Sequence, residues 1–363
     1  MTSCVIGIDG GATKTLCVVL NHQGQVLGRG EADASNYHTV GINTAFASIE
    51  SAIRLATQEA SAKLSMESVT VEAICLGLAG VGRPRDREVV QGFIQQLLSS
   101  QTIPVTWALL PSNRLLAEVG NREQGTGNSG QELTQTLSEN YFCQRSNVVI
   151  CDDALIALVG GVGKPVGVVA IAGTGSIVFG RNAQGNTKRV GGWGHILGDV
   201  GSAYQIAVSG LRAAINAYDG CAVTSLTTTS LQERFTTYFN LSNFNYITDI
   251  IYQPGWGVKE IASLAPIVDQ AAAEGDQVAI SIIEDTVNQL ARATQVVIES
   301  VFTPDSECEV VTTGSVWHGL SSIRQQFESS LVMLSPNAKV IWPRHEPAYG
   351  AGLLGLRSLG NRQ

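Results

Sequence analysis

Two short Gly/Thr turns carry the residues best suited to chemistry in this chain: Asp9-Gly10-Gly11-Ala12-Thr13-Lys14-Thr15 and Gly173-Thr174-Gly175-Ser176. Each follows an apolar, β-branched run and so reads as a strand entering a tight hairpin. Glycines there let the backbone approach a phosphate, while peptide N–H groups and threonine hydroxyls donate without bulk. A single turn of this kind usually only reverses the chain. Two of them suggest two grips on one polyphosphate. Asp9 ends the first run, where a carboxylate repels phosphate unless a divalent cation stands between them, which implies magnesium held through water. Asp before Gly-Gly is also a common turn start.

Asp153 follows a strand-like run and precedes a helix of small residues, the usual place in an α/β sheet for a group that touches ligand. It suits a general base taking the proton of a hydroxyl during phosphoryl transfer. It equally suits a helix N-cap, and Asp152 fits either role. The stretch Gly191-Gly192-Trp193-Gly194-His195-Ile196-Leu197-Gly198-Asp199-Val200-Gly201 crowds five glycines around a Trp, a His and an Asp. Ordering such a loop costs entropy, which favours a substrate loop with backbone against ligand. Asp199 suits sugar hydroxyls or the cap of the following helix; His195 reads as structural. Asn36, in the polar segment Ser35-Asn36-Tyr37-His38, offers both a donor and an acceptor.

The elements around these residues alternate. Residues 4–32 form a three-stranded antiparallel meander; a helix over 43–62, a strand over 71–80, a helix from about Arg85 and a strand over 105–110 follow. Residues 120–146 are polar and Gly/Ser/Gln-rich and read as a surface loop insertion. A strand over 147–151 leads into the Asp152–Asp153 helix. The strand, hairpin, strand pattern then restarts over 167–192, an architectural duplication. Helices over 199–217, 258–274 and 277–302, a strand over 309–314 and a closing helix over 348–359 complete the chain.

A length of 363 residues exceeds one hydrophobic core, so two domains with a cleft between them are expected. No apolar stretch is long enough to span a bilayer, and the N-terminal residues lack a secretory pattern, so a cytoplasmic protein without a membrane partner is expected. A net charge of -8 argues against nucleic acid. The seven cysteines have no metal-ligand spacing and read as buried free thiols.

The ordered set GIDGGATKT, SNYH, GLAGVG, CDDALIAL, IAGTGS, GGWGHILGDVGSAY, IASLAP with AAAEGD, and TTGSVW resembles the N-acetylglucosamine kinases of the BadF/BadG/BcrA/BcrD ATPase family, within the actin, sugar kinase and Hsp70 superfamily. The resemblance spans nearly the whole chain outside 120–146. It implies a two-domain actin-like (ribonuclease H-like) α/β fold, each domain a five-stranded mixed sheet flanked by helices, with the active site in the interdomain cleft. Residues 1–163 with 348–363 would form one domain and 164–347 the other. ATP with magnesium would be held by Gly10, Gly11, Thr13, Lys14, Thr15, Gly173, Thr174 and Gly175, with Asp9 organising the metal. Ala262, Gly314 and Ser315 would line the adenosine. Asn36, Asp153, Gly191, Gly192, Trp193 and Asp199 would contact the sugar, with Asp153 as base toward its 6-hydroxyl. A homodimer is implied as well.

One departure is Ala79, where vertebrate-type relatives carry a serine beside the sugar. Relatives also phosphorylate glucosamine or N-acetylmuramic acid, act as ATPases that activate radical dehydratases, or sense sugar and ATP without turnover. The dehydratase activators carry cluster-ligating cysteines, and Cys143 and Cys151 lack that spacing.

Overall fold

The computed structural model describes residues 3–81, 86–100, 102–109, 147–221, 229–320 and 322–360. The expected insertion at 120–146 and Cys143 lie outside the described residues. The chain divides into two compact units, residues 1–166 with 183–186 and 343–363, and residues 167–182 with 187–342.

In the first unit β1 (Ser3–Gly10), β2 (Lys14–Leu20) and β3 (Val26–Asp33) form an antiparallel meander. Asn21 shapes its second turn, accepting from the Gln23 and Gln25 N–H groups at 3.0 and 2.9 Å. β4 (Val69–Leu78) runs parallel to β1. β5 (Val105–Trp107) covers only Val69–Val71 of β4, and β6 (Val148–Asp152) takes up Ile74–Leu78. Two short strands thus share one edge of β4, giving six strands where five were expected. The reason is length: β5 satisfies only part of the peptide groups along that edge.

The helices α1 (Tyr37–Val40), α2 (Ile42–Leu64), α3 (Asp86–Ser99) and α4 (Asp153–Val162) complete the unit together with the last helix, Pro347–Gly360. α2 buries Ala45, Ile49, Ala52, Ile53, Ala56 and Ala60, a stripe at helical spacing, and packs it on β2 and β3. The last helix packs on β1 and α4. It comes so close that a side-chain carbon at Gly7 of β1 would fall 2.2 Å from the Gly352 nitrogen and 2.3 Å from the Ala348 oxygen.

The second unit repeats the plan. β7 (Gly167–Ala172), β8 (Ser176–Arg181) and β9 (Thr187–Gly191) form the meander, and β10 (Cys308–Thr313) and β11 (Ala338–Ile341) extend it in parallel. The order β9-β8-β7-β10-β11 matches β3-β2-β1-β4-β5 of the first sheet. The architectural duplication expected from the sequence is therefore present, as is the α/β class with two mixed sheets.

Eight helices of this unit are described: α5 (Ala203–Tyr218), α6 (Leu231–Tyr238), α7 (Ile247–Ile251), α8 (Val258–Ala262), α9 (Ala265–Ala273), α10 (Gln277–Val301), α11 (Ser315–Gly319) and α12 (Ile323–Leu334). The single helix expected over 258–274 is broken at Ser263 and Leu264, because Pro266 lacks a donor and belongs in the first turn of a new helix. The helix expected from 199 starts at Ala203, after its N-cap Ser202. Five cysteines are buried free thiols, but Cys221 is exposed, at the end of the α5 exit turn.

α10 buries Ile283, Val287, Leu290 and Val297 on one face, each worth about 1.5–3 kcal/mol when withdrawn from water. Asp276 caps it, accepting from the Val278 and Ala279 N–H groups at 3.0 and 3.1 Å. The same carboxylate also accepts from the Thr229 hydroxyl and from the Ser230 N–H and hydroxyl. Burial alone raises its pKa, but the hydrogen bonds from Ala279, Ser230 and Thr229 outweigh it and hold the group below the usual carboxylate value. A depressed folded pKa stabilises above the unfolded value, about 3.9, and that contribution disappears as pH falls through the folded pKa. Asp276→Ala is expected to cost about 2 kcal/mol in urea unfolding at pH 7. The deficit should shrink below pH 4; a deficit unchanged by acid contradicts the assignment.

Candidate active site

β1, β4 and β6 run parallel, and their register sets Asp9, Gly77 and Cys151 in one row near the carboxyl ends of the strands. In an α/β sheet this edge is where ligand-touching groups collect. The first turn closes with Gly11 N–H donating to the Lys14 carbonyl at 2.9 Å. The Gly11 carbonyl accepts from the Ser35 and Asn36 N–H groups at 3.0 and 3.2 Å, and Ala79 N–H donates to the Gly10 carbonyl at 2.8 Å. The turn, the Asn36 segment and the exit of β4 are therefore tied together within the first unit.

Asp9 is partly buried, and burial pushes its pKa up to about 7, helped by the negative charges of Asp153 and Glu346 and opposed by Lys14. Three carboxylates thus share one region of the first unit. Glu346 is itself paired with Arg29 through two contacts of 2.5 and 2.6 Å. Nothing in the local sequence around Asp9 signals Glu346, which the last helix brings in from the far end of the chain. Among the described residues no cluster of three His, Cys, Asp or Glu side chains could hold a metal. Asp9, a carboxylate amid the excess negative charge of Asp153 and Glu346, suits a cation whose other ligands are phosphate and water.

The two aspartates at the end of β6 have separate work. Asp152 caps α4, its Oδ1 accepting from the Leu155 N–H at 2.8 Å. Asp153 is the first helical residue, where the helix dipole favours a negative charge. Asn36 caps α1, and its Oδ1 accepts from the His38 N–H at 3.2 Å. That commitment leaves its Nδ2 hydrogens to donate toward a ligand oxygen.

Two expected phosphate contacts, Thr15 and Gly10, are corrected. The Thr15 side chain is fully buried and donates to the Asp33 carbonyl at 2.7 Å, because it belongs to the β2–β3 pair rather than to the turn. A side-chain carbon at Gly10 would meet Ser35 Oγ at 2.6 Å and Leu78 at 2.5 Å, so the close approach there is internal packing. Lys14 Nζ pairs with Glu31 across the strands at 3.1 Å, both side chains more than half exposed. Such a surface pair is worth at most about 1 kcal/mol and can be given up to a stronger anion. Thr13 is exposed at the turn's tip.

In the second unit the Gly173–Gly175 turn closes with a 2.9 Å bond from Gly173 N–H to the Gly175 carbonyl, leaving Thr174 exposed. Its Gly173 carbonyl accepts from Ala203 N–H at 2.8 Å, fastening the turn to α5. Gly314 and Ser315, where β10 meets α11, lie against Gly173: a side-chain carbon at Gly173 would be 3.7 Å from the Ser315 nitrogen and Oγ. Ala262 is only 6% exposed and is built into the hydrophobic core, so its side chain does not join this cluster.

The glycine-rich loop folds around Asp199. This residue is 9% exposed, has a left-handed φ of 56°, and accepts from the backbone N–H groups of Ser176 and Gly194. Burial raises its pKa, opposed by those two bonds and by His195. It does not cap α5; Ser202 does, accepting from Gln205 N–H at 3.2 Å. The Gly192 N–H donates to the Ser176 carbonyl at 3.0 Å and the Ser176 hydroxyl to the Val200 carbonyl at 2.7 Å, so Ser176 is a brace that the sequence did not reveal. Trp193 is 67% exposed, with the Arg189 guanidinium 5.4 Å from its ring centroid. Gly191, Gly192, Trp193 and Asp199 thus share one loop with the Gly173 turn at its base.

Comparison with known proteins bears on what these clusters do. The sequence pattern of the BadF/BadG/BcrA/BcrD ATPase family matches residues 6–103 and 116–355. An N-acetyl-D-glucosamine kinase of Dictyostelium discoideum is 31% identical, with 97% of this chain and 98% of the relative covered. An N-acetylmuramic acid/N-acetylglucosamine kinase of Clostridium acetobutylicum is 27% identical, with 96% and 97% covered. Among solved structures, a candidate N-acetylglucosamine kinase from Chromobacterium violaceum superposes with a TM-score of 0.64 at 20% identity, covering 97% of this chain and 98% of that one. At that identity the superposition speaks for the fold alone.

Proposed function

Because the chain belongs to the BadF/BadG/BcrA/BcrD ATPase family, we propose that it is an ATP-dependent amino-sugar kinase, transferring the γ-phosphate of ATP to the 6-hydroxyl of N-acetylglucosamine. The observation that carries this reading is the separation of Asp152 from Asp153: the first takes the capping bond, and the second begins α4 at the carboxyl edge of the sheet. Asp153 is the base that accepts the 6-hydroxyl proton as the oxygen attacks phosphorus.

Thr13 and Thr174, at the exposed tips of the two turns, donate to phosphate oxygens together with the peptide N–H of Gly175, and Lys14 supplies a positive charge. Gly314 and Ser315 flank the nucleotide beside the second turn. Asn36 donates from Nδ2 to a sugar oxygen, and the Gly191, Gly192, Trp193 and Asp199 loop forms the other sugar contacts. Magnesium, organised by Asp9, supplies charge neutralisation on the phosphates. Its fit rests on the crowding of carboxylates around Asp9. We further read the enzyme as cytoplasmic, since free buried thiols suit a reducing compartment, and as a homodimer by the family resemblance.

The test is ADP release by the purified protein with ATP and magnesium in the presence of N-acetylglucosamine, N-acetylmuramic acid, glucosamine or glucose. Preference for N-acetylglucosamine supports the reading. N-acetylmuramic acid is the second acceptor to compare, because the Clostridium relative's name carries both sugars. Release independent of sugar contradicts a kinase.

A further inference from the structure

The geometry points to Tyr37, His38 and Asp86 as positioning residues for the sugar, acting through Asn36; this rests on the reading of Asn36 as a sugar contact. Asn36 lies outside regular structure, at the head of a four-residue helix that contains no buried residue. One helical turn cannot maintain itself in water, because nucleation fixes several residues for each bond gained. Its conformation must be imposed from outside.

The structure supplies that restraint. The Tyr37 hydroxyl donates to Asp86 Oδ1. His38 Nε2 lies 3.1 Å from the Gly80 carbonyl oxygen and 3.5 Å from Asp86 Oδ1. The Tyr37 and His38 rings lie against each other with centroids 4.1 Å apart. Gly80, with φ 81°, is pressed between the two residues that matter: a side-chain carbon there would be 2.8 Å from His38 Cδ2 and 3.0 Å from Asn36 Oδ1. A left-handed φ and this crowding together require glycine.

Asp86 anchors the arrangement. It is 2% exposed and begins the 14-residue α3, a far stiffer element than the α1 turn. Burying a carboxylate is unfavourable unless hydrogen bonds compensate, and the Tyr37 hydroxyl, on the residue that follows Asn36, donates one such bond to this carboxylate. With His38 N–H occupying Asn36 Oδ1, the amide is held with its Nδ2 hydrogens as the group offered to the ligand. This arrangement serves ground state and transition state alike, so its loss raises the sugar KM while kcat is retained. The nucleotide should not sense it.

The experiment compares Asn36→Asp, His38→Gln, Tyr37→Phe and the double variant Asn36→Asp/His38→Gln by steady-state kinetics, with melting temperatures alongside. Asn36→Asp keeps a capping oxygen and replaces the Nδ2 donors with a second, negatively charged acceptor. It is expected to raise the KM for N-acetylglucosamine by about tenfold or more. His38→Gln and Tyr37→Phe should each raise it by about three- to tenfold, with kcat and the ATP KM within about twofold of the parent. The double variant should match Asn36→Asp, since residues that act through one another are not additive. Unchanged sugar KM in His38→Gln and Tyr37→Phe, with Asn36→Asp impaired, overturns the positioning role and leaves the sugar-site reading standing. An Asn36→Asp variant with normal KM removes that reading and the inference with it. Multiplying effects in the double variant, or equal losses for ATP and sugar with a lowered melting temperature, also overturn it.

Discussion

Asp153→Asn is expected to lose sugar-dependent ADP release by at least about a hundredfold while binding ATP nearly as the parent does. The substitution is almost isosteric and removes the proton-accepting carboxylate. Asp152 keeps its bond to the Leu155 N–H and α4 keeps its cap, so the helix does not fray in consequence. Asp9 loses one of the negative charges that push its pKa up toward 7, which favours its ionised form. Nucleotide affinity, read by titration calorimetry, should therefore survive. Normal turnover in the variant would sink the base assignment; lost ATP binding would recast Asp153 as a structural residue.

Gly7→Ala should produce a large loss of stability from a single added methyl group, about 3 kcal/mol or more. The new carbon meets backbone, the Gly352 nitrogen and the Ala348 oxygen, rather than the movable end of a side chain. Relief requires the last helix to retreat from β1, opening the packing along its length. Calorimetry should show the transition of the first unit shifted to lower temperature, and limited proteolysis should release the last helix early. An unchanged thermogram contradicts the tight crossing.

Much of this architecture was readable in the chain because it is written in local periodicities. The alternation in CVIGID and TLCVVL, punctuated by Gly10-Gly11 and by Gln23-Gly24, specifies the first meander, and the same grammar recurs over 167–191. What failed depends on facing and distance. Thr15 and Thr13 stand two places apart in one turn motif, yet one is buried and the other exposed, and only the register of β2 on β3 distinguishes them. Ala262 lies in a motif that suggests a ligand surface, while its neighbours in the fold enclose it. Asp152 and Asp153 could not be separated by spacing, since capping is decided by backbone angles: Asp152 has φ -71° and ψ 160°, the extended geometry of a cap. The break at Pro266 was available in the sequence, and an apolar period running across it concealed it.

The route of the chain through its two units bears on how the protein is made. The first unit takes residues 1–166 but also 343–363, and its β1 is sealed by a helix translated after the whole of the second unit. At 5–20 residues per second, the intervening stretch detains the ribosome for about 10–35 seconds. During that interval the second unit can complete itself, whereas the first emerges earlier and must wait with the face around Gly7 uncovered. The half begun first is finished last.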